Sequence, residues 1–490
     1  MKRIDTNLEG CYILEPDRFG DNRGYYSPFF IEENNKKNNI MLNGVVQGAR
    51  SLSGKGIVRG LHYQEDPYSQ AKLVECLSGG VLDVVVDLRK DSKTYKKWTS
   101  VYLTPENGRQ LFIPRGFAHG FVSLKDNTLF QYLVDSDYRP DLESGIIWND
   151  PEINIDWQFE KYGIENPILS DKDKVRKSII DVDPEFYMHK RYMITGATGQ
   201  LGYEIIKELN SRGIYDIISL NSSTLDITNE RLVDKVITEY KPDIIFHCAA
   251  YTAVDKAEQF SKDAYNVNVN GTKYISRASS KIGAKLIYIS TDYVFDGIKT
   301  GAYSVIDTPN PKSVYGETKY LGEKEALKNE KSFICRTSWV FGINGNNFVK
   351  TMLNLSEKYD ELKVVADQIG SPTYARDLAK LLVDMSQTEA YGIYHTTNSG
   401  YCSWYDFASY ILKDTNTKVI PVTTEEYYEP IYKKAKLENK EIFIANRPSN
   451  SMLDKQCLLD NGFYELSNWK YAVDNYKEEL CNEKVKILKK

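Results

Sequence analysis

Three glycines, Gly196, Gly199 and Gly202, stand between two apolar stretches. The stretch RYMIT before them has the composition of a short buried strand, and EIIKELN after them has the spacing of a helix. In such a turn the first glycine allows the change of direction, the second lets backbone N–H groups approach a pyrophosphate, and the third lets helix and strand pack closely. The helix N-terminus then faces the anion. The turn, which includes Gln200 and Leu201, therefore predicts a dinucleotide site, the alternative being a glycine turn with only a structural role.

The pattern around this turn continues along the rest of the chain. Short apolar stretches (YMIT, DIISL, DIIFHCA and KLIYIST) alternate with amphipathic segments, for which we predict helices over 200–211, 229–239 and 263–281. Strands that alternate with helices form a parallel sheet covered on both faces. We therefore predict that residues 185–490 form a Rossmann-type, doubly wound α/β domain with a small C-terminal substrate-binding part.

The first third of the chain has a different pattern. From Ile57 to about Ile147 it contains short alternating strands, among them KLVECLSGGVLDVVVDLR, WTSVYLT, RQLFIPRGFAHGFVSL and TLFQYLV. Regular short strands without a long helix are typical of a sandwich or barrel. After Trp157 the sequence becomes charged, which is typical of a domain tail and connector. We predict a multidomain chain in which residues 1–184 form an all-β jelly roll.

Charge and composition exclude several classes of protein. The formal net charge is -5 and no dense stripe of Lys and Arg occurs, so nucleic acid is not an expected partner. The sequence has neither a signal-peptide core nor a run of about 18 apolar residues, so we expect a cytoplasmic protein with no membrane partner. The seven cysteines form no C-x-x-C pair, and we interpret them as reduced packing residues with no metal site.

The pair Tyr315 and Lys319 in VYGETKY indicates proton transfer coupled to hydride transfer. At positions i and i+4 the two side chains share one helix face. The ordinary pKa of a tyrosine is about 10, so a neighbouring ammonium is needed to make it a useful acid. The strand LIYIST ends at Thr291, so Thr291, Asp292 and Tyr293 are predicted to contact substrate at the carboxyl edge of the sheet. An isolated Tyr-x-x-x-Lys match is more commonly a solvated helix face.

The G-x-x-G-x-x-G spacing, taken with these motifs, resembles the extended short-chain dehydrogenase/reductase superfamily. The resemblance implies that Asp226 in LDIT holds the adenine edge and that Asn268 occupies the position of the superfamily's structural and catalytic asparagine. It also implies that the cofactor is bordered by Ala249, Ala250 and Tyr251 in HCAAY. The segment LNSSTLD has neither the acidic residue that selects NAD nor an Arg for the phosphate of NADP, so NADPH or NADH is expected.

Five further strings narrow this resemblance: STDYVFDG, RTSWVFG, NFVKTML, ADQIGSPT and RPSNSMLD. Together they resemble the dTDP-4-dehydrorhamnose reductase family over essentially all of residues 190–490. The resemblance implies that Trp339 and Asn347 line a nucleotide-sugar pocket and that Arg447 lies near the pyrophosphate. The alternative for Trp339 is a core aromatic.

The N-terminal domain carries FGDNRGYY, VRGLHYQ, IPRGFAHGF, GIIWNDPEINIDW and ILSDKD. These strings resemble the dTDP-4-dehydrorhamnose 3,5-epimerase family, a jelly roll of the cupin type, over nearly all of residues 1–180. Proton removal beside a ketone requires a base, an orienting carboxylate and a group that stabilises the enolate. The resemblance implies a catalytic set of His62 as base, Asp173 as orienting carboxylate, Lys72 as enolate stabiliser and Tyr132 as acid. It further implies contacts with the nucleotide-sugar from Gln47, Arg23, Arg59 and His119.

The sequence departs from the pattern of the epimerase family at two places. Pro28 stands where the family usually has an acidic residue, and Ala49 and Arg50 stand where it usually has an Asn-His pair. Contacts to the nucleotide or sugar are therefore expected to differ. The identity of the base in the nucleotide of the substrate and the completeness of double epimerisation stay open.

The two resemblances fit one reaction path, because an epimerase product that keeps its 4-ketone is a substrate for the reductase. We expect a bifunctional enzyme that converts dTDP-4-dehydro-6-deoxyglucose to dTDP-L-rhamnose, and the epimerase resemblance implies a homodimer. The alternatives are the same chemistry on a related dTDP- or UDP-linked deoxysugar, and a cofactor-binding regulatory subunit. The presence of both Tyr315 and Lys319 argues against the regulatory alternative.

Overall fold

The computed structural model describes the chain except for residues 32, 33, 35–39, 41, 43, 67, 187–189, 215, 489 and 490 and the side chains of 483–488. The described residues fall into two compact units. One unit covers 1–189 with 212–216, and the other covers 190–211 with 217–490. The chain is therefore multidomain, as predicted.

The N-terminal unit consists mainly of antiparallel strands. Those that the structure describes are β1 (Lys2–Asp5), β2 (Tyr12–Glu15), β3 (Phe19–Asp21), β4 (Gly24–Tyr26), β5 (Gln47–Ser53), β6 (Val58–Gln64), β7 (Lys72–Ser78), β8 (Val81–Asp87), β9 (Trp98–Leu103), β10 (Gln110–Ile113), β11 (Phe117–Ser123), β12 (Thr128–Val134) and β13 (Glu143–Gly145). One sheet has the order β1-β2-β10-β7-β12-β5 and the other has the order β13-β6-β11-β8-β9. Strands β3 and β4 pair as a separate hairpin.

The core of this unit lies between the two sheets. Val74 of β7 and Phe130 of β12 belong to one buried cluster with Val85 of β8 and Phe121 of β11. The rings of Phe121 and Phe130 are 4.5 Å apart. Every residue of β8 is buried, so its sequence VLDVVVD carries Asp83 into the interior among valines and leucine.

The charged stretch after Trp157 is a folded tail of this unit. It forms the short helices α1 (Phe159–Tyr162), α2 (Asp171–Lys174) and α3 (Ile179–Val182). Several of its apolar residues, including Ile164 and Ile179, are buried in a core cluster with residues of β6 and β8. An isolated bridge also joins Ile168 to Ile57. The stretch is therefore a tail of this unit, and these contacts fasten it to the sheet.

The C-terminal unit alternates strands and helices. Its described strands are β14 (Tyr192–Thr195), β15 (Ile217–Leu220), β16 (Ile244–His247), β17 (Lys285–Thr291), β18 (Ser332–Thr337), β19 (Val340–Phe341), β20 (Glu361–Val365), β21 (Ile369–Gly370), β22 (Thr373–Tyr374), β23 (Gly392–His395), β24 (Asn398–Ser399), β25 (Cys402–Ser403), β26 (Lys418–Val422) and β27 (Leu466–Asn468). Its described α-helices are α4 (Gln200–Ser211), α5 (Glu230–Tyr240), α6 (Val254–Gln259), α7 (Ser261–Tyr265), α8 (Thr272–Ile282), α9 (Val314–Ala326), α10 (Phe348–Ser356), α11 (Ala375–Ser386), α12 (Trp404–Ile411), α13 (Thr424–Leu437), α14 (Gln456–Asp460) and α15 (Trp469–Leu488).

The main sheet of this unit is parallel, as predicted. Its order is β15-β14-β16-β17-β18-β23, and each neighbouring pair runs in the same direction. The chain moves outward from β14 to β15 on one side and to β16 on the other, so the order reverses at β14. Ligands of open α/β sheets bind beyond the carboxyl ends of the strands at such a point.

One predicted helix is interrupted. In place of a single helix over 263–281 the chain forms α7, a π-helical segment over Asn266–Gly271, and then α8. Asn268 in this segment bonds to the backbone N–H of Tyr251 and to the Thr318 hydroxyl. Periodicity could not reveal the interruption, because a π-turn is favoured here by long-range contacts.

Besides the main sheet, the last part of the chain forms small, separate two-stranded sheets. A hydrophobic core cluster in this part includes Phe407 of α12 and Tyr476 of α15. Within the described ranges, none of the helices combines the length and apolar character needed to cross a bilayer.

Candidate active sites

The N-terminal unit contains a cavity of about 720 Å³ between its strands and the folded tail. Strands β5, β6, β7, β11 and β12 supply one side chain or more each, and the tail supplies Asp173. Among the residues predicted from the sequence, those that line it are Gln47, Arg59, His62, Lys72, His119, Tyr132 and Asp173. The structure therefore brings the expected catalytic set into one cavity.

His62 and Asp173 form a hydrogen-bonded pair in this cavity. Nε2 of His62 lies 2.5 Å from Oδ1 of Asp173, and the Ser170 hydroxyl donates to Oδ2 at 2.8 Å. Burial alone would raise the pKa of Asp173, but the hydrogen bond and charge of His62 outweigh it, so that this pKa lies below its ordinary value. An ionised Asp173 holds the His62 ring in one orientation.

Lys72 lies deep in the same cavity. Burial lowers the pKa of its ammonium to about 8, while the negative charges of Asp83 and Glu143 act in the opposite direction. Nε2 of His119 lies 2.7 Å from Oδ1 of Asp83. The sequence analysis missed Asp83 and Glu143, although a lone carboxylate in the apolar strand VLDVVVD was a usable signal for Asp83.

Arg23 is not among the residues that line this cavity. Its side chain is 85% exposed and pairs with Asp21 on the β3–β4 hairpin. Arg50, at one of the two departures from the family pattern, donates to Oε1 of Gln131 at 3.3 Å. Within this unit, Arg23 therefore lies apart from the His62–Asp173 pair.

The glycine turn of the C-terminal unit joins β14 to α4, as predicted. Gly196 has φ +68°, and a Cβ there would lie 2.7 Å from the backbone nitrogen of Ala249. A Cβ on Gly202 would lie 2.4 Å from the carbonyl oxygen of Gly196. Both positions therefore require glycine, the first for its backbone conformation and close approach to the loop after β16, and the second for the packing of α4 on the turn.

A cavity of about 830 Å³ opens at the carboxyl ends of β14, β16 and β17. It is lined by most of the residues predicted for cofactor and substrate, namely Gly196, Gly199, Gln200, Leu201, Gly202, Asp226, Ala249, Ala250, Tyr251, Thr291, Asp292, Tyr293, Tyr315, Lys319 and Trp339. Asn221 and Ser222, which directly follow β15, line it as well. The lining runs from the glycine turn to Trp339 and Trp404.

Tyr315 and Lys319 lie in this cavity on one face of α9. Burial raises the pKa of Tyr315 to about 12, and the neighbouring Thr291 hydroxyl acts in the opposite direction. Burial lowers the pKa of Lys319 to about 7, and its ammonium donates to the Ile289 carbonyl at 2.6 Å. The expected lowering of the Tyr315 pKa is not seen in the protein alone, because desolvation of the phenol outweighs the other influences.

Two predicted substrate residues lie outside the lining of this cavity. Asn347 caps α10 by accepting from the Lys350 N–H at 3.0 Å. Arg447 donates to Oδ2 of Asp255 at 2.8 Å, and its guanidinium lies 5.7 Å from the Tyr428 ring. Asn347 therefore has a structural role in this arrangement, whereas Arg447 is held at the first turn of α6, directly after the cofactor-lining loop.

Trp404 and Asp255 were missed by the sequence analysis. Trp404 lines the cavity and stacks on Trp339 with ring centroids 3.6 Å apart. Asp255 holds both Arg447 and the backbone N–H of Ala445. No local pattern marks either residue, because their partners lie far away in sequence.

Each unit matches the model of a known protein family. Residues 190–482 match the family model described as the RmlD substrate binding domain, and residues 5–181 match that of dTDP-4-dehydrorhamnose 3,5-epimerase.

Individual relatives show the same division. The chain is 41% identical over 302 residues to a dTDP-4-dehydrorhamnose reductase from Aggregatibacter actinomycetemcomitans, covering 59% of this chain and 98% of the relative. It is 46% identical over 189 residues to a dTDP-4-dehydrorhamnose 3,5-epimerase from Shigella flexneri, covering 37% of this chain and 98% of the relative. A crystal structure of the reductase from Bacillus anthracis in complex with NADP is 43% identical, covers 60% of this chain and 100% of that chain, and has a TM-score of 0.55.

Proposed function

Because the chain belongs to the dTDP-4-dehydrorhamnose reductase family in its C-terminal part and to the dTDP-4-dehydrorhamnose 3,5-epimerase family in its N-terminal part, we propose that it catalyses two successive steps. The first step inverts carbons 3 and 5 of dTDP-4-dehydro-6-deoxyglucose. The second reduces the remaining 4-ketone and gives dTDP-L-rhamnose.

In the epimerisation His62 takes a proton from a carbon beside the ketone, and the electron pair moves onto the ketone oxygen. The Lys72 ammonium stabilises that enolate oxygen. Tyr132 returns a proton to the opposite face of the same carbon, so the centre is inverted with no net change in composition. Asp173 supports the step by holding the His62 ring and stabilising its positive charge. The 2.5 Å contact between His62 and Asp173 supports these roles.

The second cavity fits a nicotinamide dinucleotide, because the glycine turn in its wall leads directly into α4, and backbone N–H groups at a helix N-terminus can bind a pyrophosphate. When bound in reduced form, the nicotinamide supplies the hydride. Thr291 donates a hydrogen bond to the substrate carbonyl in place of its present donation to Asp292. Tyr315 gives its proton to the carbonyl oxygen, and the Lys319 ammonium favours the resulting phenolate.

We propose NADPH as the reductant. The positions that follow β15 are Asn221 and Ser222, which line the cavity. An acidic side chain there would favour the ribose hydroxyls of NADH, and none is present at these two positions. Amide and hydroxyl groups can instead donate to a phosphate. The Bacillus anthracis relative in complex with NADP supports the same choice.

The finer description of the fold belongs to the same proposal. The two antiparallel sheets fit a cupin-type jelly roll, and the parallel sheet fits a Rossmann-type domain. The boundary near residue 184, the homodimer and the cytoplasmic location stay predictions.

The observation that carries the proposal is that each unit gathers a full catalytic set in a cavity of its own: His62, Lys72, Tyr132 and Asp173 in one, and Thr291, Tyr315 and Lys319 in the other.

The purified chain is to be given dTDP-4-dehydro-6-deoxyglucose and NADPH, with loss of NADPH absorbance as the measurement. One NADPH is expected to be consumed for each sugar. The UDP-linked sugar and NADH serve as comparison arms. Absence of nicotinamide consumption with every combination would overturn the proposal.

A further inference from the structure

A buried ion pair lies directly behind the reductase site. Nε of Arg336 donates to Oε1 of Glu323 at 2.9 Å, and Nη2 donates to Oε2 at 2.8 Å. The residues Glu323 and Arg336 are each 1% exposed. The hydroxyl of Ser290 also donates to Oε1 of Glu323. Helix α9 is thereby fastened to strand β17 through Ser290 and to strand β18 through Arg336.

Glu323 stands on the same helix face as the catalytic pair. Tyr315, Lys319 and Glu323 follow one another at four-residue spacing along α9. Gly322 beside it permits a close approach, because a Cβ there would lie 2.3 Å from the hydroxyl oxygen of Tyr288 on β17. The face of α9 that carries the catalytic residues is therefore pressed against β17.

Consecutive residues of β17 meet α9 in order. The Tyr288 hydroxyl donates to the Lys319 carbonyl at 3.2 Å, and the Ile289 carbonyl accepts from the Lys319 ammonium at 2.6 Å. Ser290 bonds to Glu323. Thr291, the next residue, lines the cavity together with Tyr315. The Ser290–Glu323 bond is thus flanked on the strand by the contact of Ile289 with Lys319 on one side and by Thr291 on the other.

Strand β18 completes the arrangement. Ser290 pairs with Arg336 and Thr291 with Thr337 across the parallel ladder. Thr337 lines the cofactor cavity. The guanidinium of Arg336 also lies 5.1 Å from the centre of the Phe295 ring. A shift of Arg336 would therefore move two strands at the edge of the cavity.

Resting on the proposed reduction, we propose that Glu323 is a positioning residue for hydride transfer. Through Ser290 and Arg336 it sets the distance from Tyr315 and Lys319 to Thr291, and its negative charge favours the protonated form of Lys319. Glu323 touches neither cofactor nor substrate and acts through these neighbours.

The charges around Lys319 agree with this role. Burial lowers the pKa of Lys319, and the first charge that acts against burial is Glu323, followed by Cys248 after β16. Other titratable groups near this region are His247 on β16, Tyr288 on β17, Tyr315 on the helix itself, and Asp292 directly after β17, whose carboxyl acts on Tyr315. His247 is buried with its pKa lowered to about 3, so it carries no charge near neutrality. Glu323 is therefore the main negative charge available to the Lys319 ammonium.

The first variant for the test is Ser290→Ala, which removes the bond to the strand and leaves the ion pair intact. We expect kcat of the reduction to fall about tenfold, with the KM of the nucleotide-sugar and the Kd of NADPH unchanged. An unchanged kcat would overturn the positioning role.

The second variant is Glu323→Gln combined with Arg336→Met, which removes both buried charges together and so avoids an unpaired Arg336. We expect the pKa seen in the pH profile of kcat to move about 1 unit toward lower pH, because Lys319 loses its favourable neighbour. Glu323→Asp keeps the charge and is expected to retain the wild-type profile at reduced kcat. A folded double variant with the wild-type profile and kcat would overturn the proposal.

If the double variant does not fold, the kcat of Ser290→Ala alone decides whether the positioning role of Glu323 is supported or overturned. NADPH consumption by the wild-type chain tests the proposed reduction separately, so a failure of the reduction is distinguishable from a failure of the Glu323 role.

Discussion

The Nε2 atom of His62 lies 2.5 Å from Oδ1 of Asp173, although 111 positions separate the two residues in the sequence. The contact joins strand β6 to the folded tail of the N-terminal unit. It leaves Nδ1 of His62 as the ring nitrogen that can take a proton from a bound sugar. The charged tail is therefore part of the proposed epimerase site.

Substituting Asp173→Asn tests this relationship. The amide cannot stabilise a protonated His62, so we expect epimerisation to slow by about 10² to 10⁴. Exchange of the sugar's carbon-bound hydrogens for deuterium in D₂O, followed by NMR, measures this step without the reductase. Asp171→Asn, on the same helix but exposed and paired with Lys174, is the matched control. Equal exchange rates for Asp173→Asn and the wild type would contradict the role.

The lowered pKa of Lys72 predicts a pH dependence of the epimerisation. Burial lowers its pKa from the ordinary 10.5 to about 8, so the ammonium is present below about pH 8 and is lost as the pH rises through that value. The kcat/KM of epimerisation is expected to fall over this range, since that ratio reports groups of the free enzyme. Lys72→Arg keeps its charge at high pH, so it should be slower overall but show no fall near pH 8. A wild-type profile that stays flat through this range would count against Lys72 as the enolate stabiliser.

Gly202→Ala is expected to weaken NADPH binding by more than about tenfold. The added Cβ would lie 2.4 Å from the Gly196 carbonyl oxygen, so the phosphate-binding turn must shift. Fluorescence titration with NADPH measures the effect. Gly301→Ala is the control: its φ of +89° strains an alanine, but nothing lies within 4 Å of the new Cβ. The prediction fails if the two variants bind NADPH equally well.

Asp255→Asn is expected to raise the KM of the nucleotide-sugar about tenfold with little change in the Kd of NADPH. Asp255 holds Arg447 at 2.8 Å and the Ala445 N–H at 3.0 Å, and the amide replaces a charged partner by a neutral one. Steady-state kinetics of the reduction measure the KM of the nucleotide-sugar, and a binding titration measures the Kd of NADPH. Asp414→Asn, which breaks the exposed pair with Lys477, is the control. A rise in both constants together would point to a general loss of structure.

Local sequence was sufficient to predict features that lie within one short segment of the chain. The turn from Gly196 to Gly202 and the strands around it follow from glycine spacing and apolar periodicity, and both were predicted. Tyr315 and Lys319 share a helix face because of their spacing alone. For these positions the local pattern and the global fold agree.

Long-range contacts set the limits of the sequence analysis. Arg23 lies exposed on a hairpin, and Asn347 caps a helix. The motifs that contain these two residues therefore did not indicate which groups they contact in the fold. Asp255 and Trp404 gain their importance from partners that lie 192 and 65 positions away, Arg447 and Trp339 respectively. The pairing of Asp83 with His119 likewise depends on strand order, which periodicity does not supply.

The central claim is that two separate sites in one chain act in succession, and a mixing experiment tests it most directly. His62→Asn blocks the first site and Tyr315→Phe blocks the second, so neither variant alone should form dTDP-L-rhamnose from dTDP-4-dehydro-6-deoxyglucose and NADPH. Mixed together, the two should form it, because the first-site product made by Tyr315→Phe reaches the intact second site of His62→Asn. NMR of the product identifies the sugar by its stereocentres. Formation of dTDP-L-rhamnose by either variant alone at the wild-type rate, or no product from the mixture, would contradict the account.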